Sequence, residues 1–100
     1  MRYGNSVATN MVSTDKLSSI RQFVVQKFPL ARRRAVGDGD NLLESGIIDS
    51  LGVLELVTFL QSEFSLQVED DELTPENFQS IHSIAQFVEQ RLQGARELAQ

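Results

Sequence analysis

Apolar residues recur at helical spacing in three separate stretches of the chain. Leu17, Ile20, Val24 and Phe28 step by three, four and four, with Phe23 beside them. The spacing predicts a helix from Lys16 to Phe28 that turns one stripe to a core. Ser13 or Thr14 can cap it, Asp15 lies in its first turn, and Pro29 ends it by disfavouring helical geometry at Phe28. Val53, Leu56, Val57, Leu60 and Phe64 fall at i, i+3, i+4, i+7 and i+11, which predicts a second helix over Ser50 to Phe64 with that face inward. At about 100° per residue, Leu51, Leu54, Glu55, Thr58 and Ser62 fall on the opposite side. Ile81, Ile84, Ala85, Val88 and Leu92 repeat the same face in a last helix, capped by Ser80 and stopped at Gly94. Before it, Thr74-Pro75-Glu76 supplies a cap, a proline at the first helical position and an acid, the start of a short helix ending near Gln79.

Between these stretches the pattern is that of loops. Pro29 to Asn41 reads as a long connection, and Arg32-Arg33-Arg34 within it as a solvated basic run or a contact for an acidic partner. Gly37-Asp38-Gly39-Asp40 is turn chemistry. It opens like a calcium loop, but the later ligands and closing glutamate are out of register, so no metal site is expected. Leu42 and Leu43 suit a helical turn plugging the core, with Gly46 ending it at positive φ. Ser65 to Asp71 is a connection with Val68 turned inward, and Glu69-Asp70-Asp71-Glu72 a solvated charge run. No strand pattern survives. The expected fold is all-α: a small four-helix bundle, three helices longer and one short, with a long first loop. Met1 to Val12 show no period, so the chain divides into a flexible N-terminal tail (1–12), one domain (13–93) and a short C-terminal tail (94–100).

Composition narrows the function classes. With 100 residues, 41% of them hydrophobic, one small cored domain is expected. A net charge of −5 speaks against nucleic acid and suits docking on basic protein surfaces. No apolar run approaches the roughly 20 residues that span a bilayer, and no signal-peptide core opens the chain, so the cytoplasm is the expected compartment. There is no cysteine, so any thiol chemistry must come from an attached group. The single histidine, His82, has no sequence relation to a nucleophile, and no triad, phosphate loop or metal cluster is legible. The chain does not read as an enzyme.

One junction draws the chemistry together. In Glu44-Ser45-Gly46-Ile47-Ile48-Asp49-Ser50-Leu51, a loop gives way to a strongly apolar helix, with a hydroxyl at the joint. Asp49 or Ser50 can serve as N-cap. Alone, Asp-Ser-Leu is simply a capped helix. The same helix end also carries unpaired donors and partial positive charge, and so suits an attached phosphate.

The segment from Asp40 to about Leu92 resembles the acyl carrier protein family. The likeness rests on Leu42-Leu43-Glu44-Ser45-Gly46, Asp49-Ser50-Leu51, Glu55-Leu56-Val57, Glu63-Phe64, Val68, the acidic run Glu69 to Glu72, and Ile81 to Val88, with the first helix at the right distance upstream. The resemblance implies that Ser50 receives 4′-phosphopantetheine from coenzyme A, through a phosphopantetheinyl transferase (holo-acyl-carrier-protein synthase) using magnesium. The arm's thiol would then hold an acyl group of the fatty-acid or polyketide kind as a thioester. Asp49, Leu51, Leu54, Glu55 and Thr58 would form the docking face for the transferase and for acyl or aminoacyl ligases and synthases, the carrier itself being a monomer. Two departures stand out. Gly52 occupies a place where fatty-acid carriers often have an acid, and Gln61 and Ser62 interrupt the usual glutamate-rich end of the second helix. The approach Gly46-Ile47-Ile48-Asp49-Ser50 is more similar to stand-alone carriers served by dedicated ligases, D-alanine carriers among them. A peptidyl or aminoacyl carrier, D-alanyl included, is thus one alternative, and an unmodified helical docking module with Ser50 as a plain cap is another.

Overall fold

The computed structural model describes residues 14–98, with side chains described over 15–93. The tail expected over 1–12, the last two residues of the tail expected over 94–100, and the cap considered at Ser13 lie outside the described residues. Among the described residues all regular structure is helical: α1 (Thr14–Lys27), α2 (Pro29–Arg33), α3 (Ser50–Phe64), a 3₁₀ turn (Asp70–Glu72), α4 (Pro75–Phe78) and α5 (Ile81–Leu98). The three long helices expected from periodicity are α1, α3 and α5, and α4 is the short helix that begins at Thr74-Pro75.

The first loop is more structured than its sequence suggests. Pro29 ends α1 by holding Phe28 extended (φ −117°, ψ 101°), and it also begins α2, because its fixed φ is preorganised for a first helical residue. α2 closes with Ala35 left-handed at φ 48°. The Val36 N–H returns to the Ala31 carbonyl at 3.1 Å and the Ala35 N–H to that of Arg32 at 3.1 Å, a Schellman closure with Ala31 and Val36 both buried. Arg21 of α1 then pins the loop, donating to the Asp38 carboxylate at 2.9 Å and the Val36 carbonyl at 2.7 Å. The His82 N–H adds a bond to the Asp38 carbonyl, and the Leu42 N–H one to that of Gln79.

The core joins Ile20, Val24 and Phe28 of α1, Leu42, Ile47 and Ile48 of the loop, Leu56 and Leu60 of α3, Phe78 of α4, and Ile81, Ile84, Ala85, Phe87 and Val88 of α5. α3 is turned slightly from the face its period predicts. Gly52, Leu56 and Leu60 are its buried line, while Val53, Val57 and Phe64 flank it half-buried. The turn brings in Phe59, which stacks on Phe23 at 4.2 Å between centroids and 12° between planes. α5 does not stop at Gly94; its backbone stays helical to Leu98. An interior glycine costs a helix about 1 kcal/mol relative to alanine and need not end it. The acidic run departs from expectation in part. Glu69, Asp70 and Asp71 are exposed as expected, but the run is a 3₁₀ turn rather than a loop, with Glu69 and Glu72 exchanging side-chain and backbone bonds and Glu72 paired to Arg91 of α5.

Candidate functional site

Two isoleucines anchor the approach to α3. Ile47 and Ile48 are buried, at 7% and 2% exposure. The turn before them is set by Asn41, whose side-chain oxygen accepts the N–H groups of Leu43 at 3.0 Å and Glu44 at 2.8 Å. Gly46 takes φ 79°, in the left-handed region that glycine enters without penalty. The chain therefore reaches α3 along a fixed line, with Asp49 extended (φ −101°, ψ −172°).

The choice between two caps resolves to Asp49. Its Oδ1 accepts the Gly52 N–H at 2.8 Å, and its carbonyl takes the Val53 N–H at 2.9 Å. Ser50 is the first helical residue and is exposed. Its hydroxyl is not committed to capping, and it stands at the positive end of a 15-residue helix. Gly52, two residues on, is buried. A Cβ there would lie 2.8 Å from Phe28 Cε1 and 3.0 Å from Ile48 Cγ2.

Ser50 opens onto a groove of about 560 Å³ between the start of α3 and the segment leading into α4. Ile48, Val53, Leu54, Leu73, Pro75 and Phe78 give it an apolar lining, with Asp49 and Ser50 at one side. Asp49 is the only titratable residue of the lining, and its carboxylate is already engaged with the Gly52 N–H.

The five residues expected to form one docking face divide. Asp49 and Leu54 border the groove with Ser50. Leu51 is 67% exposed and lines neither this groove nor a shallower hollow toward α1. Leu54 is 55% exposed and shares the groove's lining with Ile48, while Ile47 is buried in the core. Glu55 and Thr58 belong to the hollow, with Phe23, Lys27, Phe59 and Ser62. Glu55 pairs there with Lys27 at 3.7 Å, and the Thr58 hydroxyl donates to the Leu54 carbonyl at 3.0 Å. Periodicity did not reveal the far wall, Leu73 to Pro75; Leu73 ahead of a proline-started helix was the one available signal. His82 is exposed on the first turn of α5 and lines no part of the groove. The basic run is exposed, and Arg34 donates to the Ser45 carbonyl at 3.1 Å. Among the described residues, no cluster of three or more His, Cys, Asp or Glu could hold a metal, and no helix is long and apolar enough to cross a membrane.

A small helical bundle that ends a loop on an exposed serine at a helix N-terminus has the form of a carrier. The family profile described as "Phosphopantetheine attachment site" matches residues 18–88. The chain belongs to this family of phosphopantetheine carriers, whose members are not catalysts but hold a covalently attached 4′-phosphopantetheine. Among its relatives are the D-alanyl carrier proteins of Streptococcus pyogenes serotypes M5 (strain Manfredo), M49 (strain NZ131) and M1, each 30% identical over 74 residues, covering 72% of this chain and 94% of the relative. Carriers of this family work with phosphopantetheinyl transferases and with acyl or aminoacyl ligases.

Proposed function

We propose that Ser50 is the attachment point, and that the chain is an acyl carrier loaded by a dedicated ligase. The observation that carries the reading is the division of labour at the start of α3: Asp49 caps the helix and leaves the exposed Ser50 hydroxyl free to form a phosphodiester. The helix end favours the phosphate electrostatically. With Asp49 the only titratable neighbour in the groove, Ser50 needs its base from the transferase. The bound arm supplies the thiol that this cysteine-free chain lacks. Asp49, Leu51 and Leu54 surround Ser50 as the transferase's landing surface, while Glu55 and Thr58 offer a second contact toward α1. Such contacts are small, because a carrier must leave each partner in turn. Loading from coenzyme A fits a cytoplasmic protein, and small, transient contacts fit a monomeric carrier.

For the cargo, the apolar lining of the groove favours a hydrocarbon acyl chain, which would be partly sheltered there. An aminoacyl cargo is the second reading, favoured by the D-alanyl carriers, which match over 94% of their own length. Charging decides between them. The holo-protein is offered to adenylate-forming ligases with octanoate or with D-alanine, and the thioester is read by intact mass. Charging with octanoate alone supports the first reading, and charging with D-alanine alone replaces it with the second. A chain that never accepts the arm would be an unmodified docking module.

A further inference from the structure

The groove beside Ser50 has two unequal walls. One is α3, a long helix seated in the core. The other is Leu73-Thr74-Pro75, a short strip that leaves a three-residue turn and enters the first residue of a four-residue helix. Its Pro75 end is seated through Phe78 of α4, buried in the core; its Leu73 end is held by Glu72. Its carboxylate accepts the Glu69 N–H at 2.8 Å and is paired with the Arg91 guanidinium. Its carbonyl accepts the Asn77 side-chain amide at 2.8 Å and the Thr74 N–H at 2.9 Å. Four contacts therefore converge on the carboxylate and carbonyl of the residue just before the wall. Three of them are local; only Arg91 reaches a long helix, the one that carries Ile84, Ala85, Phe87 and Val88 of the core. Both charged side chains are less than one-third exposed, at 31% and 26%, so the pair is better shielded than an ordinary surface bridge.

We propose that Arg91, acting through Glu72, is a positioning residue: it ties the Leu73–Pro75 wall to α5 and so sets how closely the groove shelters an acyl chain carried at Ser50. This rests on the reading of Ser50 as the attachment point. Without the guanidinium the wall keeps its local turns and, at its far end, the seat of Phe78 in the core, but its Leu73 end loses its tie to α5. A chain long enough to lie against Leu73 feels that loss, and a two-carbon acyl group does not. A bond that merely stabilised the fold would affect both cargoes alike.

Two measurements on Arg91→Ala and Arg91→Lys test this. The first needs no arm: amide exchange, by NMR, in the unmodified protein. The Glu69 and Leu73 amides, bonded to Glu72 Oε1 and to the Asp70 carbonyl, should exchange at least roughly tenfold faster in Arg91→Ala. The Ile84 amide of the core should not change, and Arg91→Lys, which keeps the charge, should stay near the parent. The second compares hydroxylamine cleavage of octanoyl and acetyl thioesters on the holo-proteins. Arg91→Ala should speed octanoyl cleavage several-fold over the parent and leave acetyl cleavage unchanged, with Lys restoring the difference. Unchanged exchange at Glu69 and Leu73 would overturn the clamp. Faster exchange with an unchanged octanoyl-to-acetyl ratio would overturn its link to the cargo. Failure of Ser50 to take the arm would be seen separately by mass; the link to the cargo then falls with that reading, while exchange still decides the clamp.

Discussion

Gly52→Ala is a substitution whose sign the structure decides. In an exposed helix interior, alanine gains about 0.8–1.0 kcal/mol over glycine. Here the new methyl would meet Phe28 Cε1 at 2.8 Å, Ile48 Cγ2 at 3.0 Å and Phe28 Cζ at 3.2 Å. Neither neighbour is a free end. Phe28 is 9% exposed and packs edge-on against Phe23 at 6.1 Å, and Ile48 is 2% exposed. Forcing a methyl into such a site costs about 1–3 kcal/mol. The net is a loss centred near 1 kcal/mol, worth about 4–8 °C in melting temperature for a domain of this size. Gly39→Ala is the matched control, since nothing lies within 4 Å of its Cβ position and its φ is not in the left-handed region. That change should raise stability by about 0.4–1 kcal/mol through the unfolded chain. Urea melts of the two variants and the parent, read at equal m-values, give both signs. A Gly52→Ala protein stabilised by the full helical gain would show that α3 does not press on Phe28 and Ile48 as described.

Three further expectations follow from the same contacts. Asp49→Ala removes the cap on the Gly52 N–H and should cost about 0.5–2 kcal/mol, whereas Ser50→Ala should be nearly neutral in a thermal melt, because Ser50 does not cap. Burial pushes the Glu72 carboxyl up, but the Glu69 N–H and the Arg91 guanidinium outweigh it and hold the carboxyl below its ordinary value of 4.5. A depressed carboxyl stabilises above that value and loses its contribution as the pH falls through the folded-state pKa, so the deficit of Glu72→Gln, up to about 1 kcal/mol at neutral pH, should vanish in acid denaturant melts. Glu55→Lys breaks the half-exposed pair with Lys27 at a cost of no more than about 1 kcal/mol, and should slow transfer by a basic-surfaced partner through the on-rate, with the defect shrinking at high salt; equal rates at both salts would remove Glu55 from the docking surface.

What the sequence shows and hides follows from the range of each signal. α3 was legible to the residue, because its apolar period and the Asp49-Ser50 junction agree. Which of the two caps the helix was not, since aspartate and serine have the same capacity and only the φ of Asp49 and its bond to Gly52 separate them. α2 escaped because five residues are too few for a period, and Pro29 was read only as a stop. Phe59 and Phe87 lie off the i, i+3, i+4 stripes and are drawn inward by aromatic neighbours, Phe23 and Phe78. Gly52 appeared only as a departure from fatty-acid carriers; its cause is contact with Phe28, which leaves no room for an acid. The groove joins Leu54 to Leu73 and its clamp joins Glu72 to Arg91, pairings that no local pattern encodes.

The central claim is that Ser50 carries the arm. The most direct measurement is intact mass with peptide mapping after incubation with coenzyme A and a broad-specificity phosphopantetheinyl transferase. The parent should gain one phosphopantetheine, mapped to Ser50, and Ser50→Ala, folded by circular dichroism, should gain none. A modification mapped to Ser45 or Ser62, or an undiminished gain in Ser50→Ala, would contradict the account.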